Sequence, residues 1–190
     1  MFGSSNSLRA WCVAVLTMIA STAVCQDSAG KQGGDLPRPT LVDFGDAVAF
    51  EVAPHTGLMG SSGTFGLNLL MTYSSFSLEL AAEQVIGRTA NLYPVTISAL
   101  LNLATRGRLI PYGVVGAGLW LTVPTDAIGA ETVSTLGLNF GGGARYFLTR
   151  TFGIRLEARQ HITSVSNPTG LKDELLFFQE VSVGATFLFH

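Results

Sequence analysis

The sequence predicts an all-β protein, an eight-stranded antiparallel up-and-down transmembrane β-barrel, on three observations. The first is a two-residue period. Residues 135–189 hold three consecutive stretches in which every second residue is lipophilic and those between are small or charged. Across 151–163 the even positions read Phe152, Ile154, Leu156, Ala158, Gln160 and Ile162, against Gly153, Arg155, Glu157, Arg159 and His161. Nothing in the chain could cover an apolar face repeated on every strand, so lipid covers it and the charges point into a lumen. The second is composition: 47% hydrophobic with 13% charged residues is rich for a water-soluble domain. The apolar runs after residue 25 are nevertheless shorter than the roughly 18 residues of a spanning helix, which disfavours a helical membrane protein. The third is length, since the ~150 residues left after the N-terminal segments match eight strands of ~10 residues with their connections.

The N-terminal segments are set off by composition. Arg9 precedes an apolar run from Trp11 to Ala20 that is too short to span a bilayer as a helix, so residues 1–25 read as a secretory signal peptide. Cleavage after Ala23 and after Cys25 both satisfy the small-x-small rule. Thr22-Ala23-Val24 lacks the residues that would mark Cys25 for lipidation. Cys12 lies within the signal, which leaves no disulfide framework. Residues 26–40, rich in Gly, Lys, Asp and Pro, read as a flexible periplasmic tail, and 41–190 as the barrel domain. A net charge of −2 carries no basic footprint for nucleic acid.

Each strand follows from alternation bounded by turn residues. The first, 46–56, sets Val48, Phe50 and Val52 against Glu51, Ala53 and His55. The second, 64–73, sets Phe65, Leu67, Leu69, Met71 and Tyr73 against Gly66, Asn68, Leu70 and Thr72. The third, 76–87, places Phe76, Leu78, Leu80, Ala82 and Ile86 opposite Ser77, Glu79, Ala81 and Glu83. In the fourth, 92–104, Tyr93, Val95, Ile97, Ala99, Leu101 and Leu103 oppose Thr96, Ser98 and Asn102. The fifth, 109–122, is apolar on both faces and gives no orientation. The sixth, 135–148, alternates Leu136, Leu138, Phe140, Ala144, Tyr146 and Leu148 with Gly137, Asn139, Gly141, Gly143 and Arg145. The seventh is 151–163. The eighth, 176–189, sets Phe177, Val181, Val183, Ala185, Phe187 and Phe189 against Glu180, Ser182, Gly184 and Thr186.

Connections are expected to alternate in length, short at 74–75, 105–108 and 149–151 and longer at 57–63, 87–91, 123–134 and 164–175. An even strand number puts both chain ends on the short-turn, periplasmic side and the longer connections outside. Tyr93, Trp120 and Phe177 would form an outer aromatic girdle, and Tyr73, Tyr112, Tyr146, Phe152 and Phe189 an inner one.

The segments 109–119, 137–147 and 153–159, with their Pro-Tyr then Gly-x-Gly, Asn-Phe-Gly-Gly-Gly-Ala-Arg-Tyr-Phe and Arg-Leu-Glu-Ala-Arg rhythm, resemble small bacterial outer-membrane β-barrel proteins of the OmpA/OmpX-like group. The resemblance covers about 110 residues and implies the cell outer membrane of a Gram-negative bacterium, a monomer, contact with outer-membrane lipid and lipopolysaccharide, and assembly by the barrel-assembly machinery. Barrels of that group end in an aromatic residue; here Phe187 and Phe189 alternate before His190.

A barrel of eight strands is only wide enough for its own side chains. The inward set Glu51, Glu79, Glu83, Arg145, Arg155, Glu157, Arg159 and Glu180 mixes signs, as shielded charges must if they are to pair. It is expected to form one network, with Arg155 and Arg159 meeting charges on the sixth and eighth strands. That reading gives a polar plug and a structural or surface-interaction role without catalytic residues, cofactor or metal. A small ion conductance along the network is the alternative. A further one is a lipid A deacylase-like enzyme, since His161, Thr163, Ser164 and Asn167 resemble the His-x-Ser-Asn segment of that family. Parity turns His161 inward, and Thr163 stands where that family has serine. Asp43-Phe44-Gly45 matches a kinase motif by chance, and Gly141–Gly143 relieves crowding within a strand.

Overall fold

The computed structural model describes residues 42–45, 47–87, 90–124, 133–165 and 174–189. The proposed signal peptide and tail lie outside the described residues, as does most of the two longest connections, with Asp126, Glu131, Asn167, Lys172 and Asp173. Among the described residues ten strands follow one another: β1 (Val42–Asp43), β2 (Val48–Met59), β3 (Ser62–Tyr73), β4 (Phe76–Ile86), β5 (Ala90–Asn102), β6 (Arg106–Gly107), β7 (Leu109–Pro124), β8 (Val133–Phe147), β9 (Phe152–Val165) and β10 (Glu174–Phe189). Eight of them close a barrel in the order β10-β2-β3-β4-β5-β7-β8-β9, with every neighbouring pair antiparallel. Closure leaves no strand edge unpaired, which a lipid environment requires of a sheet.

The wall is sorted as the two-residue period predicts. Phe50, Leu69, Leu80, Ile97, Leu138 and Val181 face outward, each more than two-fifths exposed, while the intervening polar and charged side chains are buried. An apolar exterior wrapped around a charged interior is the reverse of a water-soluble domain. The fifth predicted strand, β7, now has an orientation: its even residues Ile110, Tyr112, Val114 and Trp120 point into the lumen. Tyr112 and Trp120 therefore belong to neither girdle. With apolar residues on both faces, nothing in that strand's pattern distinguished inside from outside. Tyr73, Tyr146, Phe177 and Phe189 do stand outward.

The expected alternation of connection lengths holds only for the second half of the chain. Residues 57–63 are no loop, because Gly57 pairs Thr64 and Met59 pairs Ser62, leaving a two-residue turn at Gly60 and Ser61. Gly60 adopts φ 60°, a conformation that glycine enters without a Cβ clash and that tight hairpins use. The 87–91 connection shrinks to 87–89 because β5 already starts at Ala90. Conversely, the chain between β5 and β7 is extended by β6, which pairs with β1 through Val42↔Gly107 and Asp43↔Arg106.

That β1–β6 pair forms part of a seal. The backbone N–H of Phe44 donates to Thr105 O at 2.9 Å, and the N–H of Ser74 donates to Phe44 O at 3.0 Å. Ser74, in the β3–β4 turn, has φ 53°, and the bond to Phe44 helps hold it there. Val42, Phe44, Ala49, Ile110, Phe147 and Leu188 pack into one buried apolar cluster across the mouth at the end carrying both barrel termini, here the terminal end. The Asp43-Phe44-Gly45 segment thus has a structural use that its sequence did not reveal.

Candidate functional site

The eight charged residues read as inward from the sequence are all buried in the lumen, none more than 8% exposed, and His55 and His161 join them. They fall into three tiers along the barrel axis. At the terminal end, above Phe44, Arg145 is fully buried and donates through Nη1 to Glu51 and through Nη2 to Asn102. Glu51 also accepts from Thr186 at 2.9 Å and from Thr72 at 3.4 Å, while Asn102 Nδ2 donates to Ser77 Oγ at 3.0 Å. The Arg145 guanidinium lies 5.6 Å from the Phe44 ring centroid and 5.0 Å from that of Tyr112, so the apolar seal also contacts the cation through its π faces.

The middle tier pairs two guanidiniums with two carboxylates. Arg155 Nη2 donates to Glu79 Oε2 at 2.6 Å, and its Nε donates to Glu157 Oε2 at 2.9 Å. Arg159 donates to the other oxygens of both, Glu79 Oε1 and Glu157 Oε1. Each carboxylate therefore bridges both arginines. The Tyr112 hydroxyl donates to Glu157 and accepts from Arg155 Nε at 2.7 Å. Its ring, 5.1 Å from the Arg155 guanidinium, ties this tier to the one below.

Arg155 and Arg159 do not meet charges on the sixth and eighth strands as expected from the sequence. Their cross-lumen partner is Glu79 of β4, whereas Arg145 of β8 takes Glu51 and Glu180 of β10 takes His161. Which residues face each other across a lumen depends on how the strands stagger around the ring, and alternation along one strand carries no trace of that.

Among the described residues the outer tier contains no guanidinium. His161 Nε2 lies 2.8 Å from Glu180 Oε2, and His55 Nε2 lies 3.6 Å from Glu83 Oε1. Above them sit Met59, Val85 and Trp120, with Leu92 and Phe178 packed against that cluster. Trp120 meets the His161 ring edge-on at 5.0 Å and stacks on Phe178 at 5.9 Å. The Thr163 hydroxyl lies 3.2 Å from Thr135 Oγ1 and 3.3 Å from Leu136 O, either of which can accept its one proton.

Inward glycines make these cross-strand contacts possible. In the row Tyr112–Gly143–Glu157 a Cβ on the central residue would stand 2.6 Å from the tyrosine hydroxyl, so only glycine lets the two flanking side chains meet. The row His55–Gly66–Glu83 repeats the device, with a Cβ at Gly66 falling 2.7 Å from both His55 Cε1 and Glu83 Cγ. Gly143 bears out the sequence reading of that glycine run as relief from crowding.

This architecture defines a class: a small closed barrel of eight antiparallel strands with its charges inside. The N-terminal β-barrel domain of Pseudomonas aeruginosa OprF shares the fold at 15% identity and a TM-score of 0.58, covering 74% of this chain and 97% of that one. Neisserial surface protein A shares it at 14% identity and a TM-score of 0.56, covering 74% of this chain and 94% of that one. No protein-family model matches the chain, and no curated protein matches it. The fold is thus that of the small outer-membrane barrels the sequence resembles.

Proposed function

We propose that the chain is an outer-membrane β-barrel protein with a structural or surface-interaction role, exported by its signal peptide and working as a monomer with a plugged lumen. The carrying observation is that side chains occupy the described lumen at successive levels: an apolar cluster at the terminal end, ion-paired side chains through the middle, and Met59, Val85 and Trp120 towards the other, beside a pocket lined by Thr135, Thr163 and Phe178. Closed rigid walls with variable connections suit a scaffold that presents loops, and the two longest connections lie at the end away from the termini. The outward apolar band would contact lipid and lipopolysaccharide, and Phe187 and Phe189 on the last strand would serve recognition by the assembly machinery.

Planar-bilayer recording tests this reading. The folded barrel is expected to leave the bilayer silent. Stable cation-selective openings altered by Glu79→Gln or Glu83→Gln would replace the plugged scaffold with a channel.

A further inference from the structure

Counting charge tier by tier exposes an imbalance. Arg145 balances Glu51, and Arg155 with Arg159 balances Glu79 with Glu157. Among the described residues, the ion-pair partners of Glu83 and Glu180 are only the imidazoles of His55 and His161. Arg159 is the cross-strand neighbour of Glu180, yet its ion pairs go to Glu79 and Glu157. Among the described residues two carboxylates are thus buried without a guanidinium or ammonium paired to them, a state that burial makes costly unless the charge is neutralised. Protonation within the cluster or one divalent cation among the four side chains would neutralise it.

The geometry points to the second: we propose that the outer tier binds one divalent transition-metal ion of the zinc class, ligated by His55, Glu83 and Glu180, with His161 orienting Glu180. One donor atom from each of the three ligands lies within 4.8 Å of the others, and all three residues are buried. The 3.6 Å between His55 Nε2 and Glu83 Oε1 is too long for a hydrogen bond. It is close to the donor spacing of about 3.4 Å that tetrahedral coordination with ~2.0–2.1 Å bonds requires. Glu83 Oε2 and His55 Nδ1 are buried without a hydrogen-bond partner among the described residues, so the carboxylate retains an oxygen for an ion. Gly66 holds open the gap between these two side chains. A mixed nitrogen and oxygen donor set favours zinc, cobalt or nickel over calcium and magnesium, which prefer oxygen alone. The contact from His161 Nε2 to the Glu180 carboxylate is the outer-shell arrangement that fixes a ligand's orientation.

The test folds the full chain in detergent with Zn2+, passes it over a chelating column, and measures retained metal and affinity by competition with a zinc-binding dye. Wild type is expected to hold one Zn2+ per barrel. His55→Ala and Glu83→Gln should each weaken binding at least tenfold, His161→Ala by about tenfold through lost orientation, and exposed Asp43→Asn not at all. Gel mobility before and after boiling reports whether each variant has folded. Should the variants fail to fold, Co2+ bound to wild type decides: visible bands of tetrahedral intensity support the site. Failure of wild type to retain Zn2+, retention undiminished in folded His55→Ala and Glu83→Gln, or a Co2+ spectrum like that of the aqueous ion would overturn it.

Discussion

The two halves of the lumen solve the same problem with different chemistry. Towards the terminal end every guanidinium meets a carboxylate, tyrosine and phenylalanine rings lie against the cations, and an apolar cluster closes the mouth. Towards the other end the described carboxylates Glu83 and Glu180 meet imidazoles instead. The first half is a fixed structural core made of polar groups. The second carries the histidine and carboxylate donors of the proposed metal site.

If the arginine half is the structural one, breaking it should cost most. Arg159→Ala leaves Glu79 and Glu157 sharing one guanidinium in a buried site, and removal of one partner from such a pair costs about 3–5 kcal/mol. Chemical unfolding from detergent micelles, read by tryptophan fluorescence, is the measurement. Phe44→Ala should come next, at about 3 kcal/mol, because a fully buried ring is lost from the mouth seal and its cavity borders Arg145. His161→Ala should cost less, roughly 2 kcal/mol in metal-free protein, since a single hydrogen bond to a carboxylate is lost and no guanidinium is stranded. An order with His161→Ala above Arg159→Ala would reverse the assignment of the two halves.

Much of this was legible in the sequence, for a physical reason. The charged residues of the wall strands with described side chains all lie on the inward face while the outward face is mostly apolar, and the bilayer and the lumen impose that sorting strictly enough that inside and outside can be read directly. β7 resisted because Ile110, Tyr112, Val114 and Trp120 are apolar or aromatic residues that still face inward. There they pack as the non-ionic part of the filling, and Tyr112 links two tiers that the pattern could not connect. The first hairpin was hidden by its glycines: Gly57 and Gly63 lie within strands, and only Gly60 belongs to the turn. Membership of the charge set was therefore readable and its pairing was not, because pairs such as Glu79 with Arg159 are made across the lumen.

That cross-lumen contact is the most direct test of the barrel as described. Glu79 and Arg159 lie on β4 and β9, 80 residues apart in sequence, and meet only if the ring closes in this register with both side chains inward. A double-mutant cycle of Glu79→Gln and Arg159→Gln on unfolding free energy should return a coupling of about 1.5–3 kcal/mol, the upper part of the range for residues in one ion-pair network. A coupling indistinguishable from zero, with both single variants folded, would contradict the closed, inwardly charged barrel.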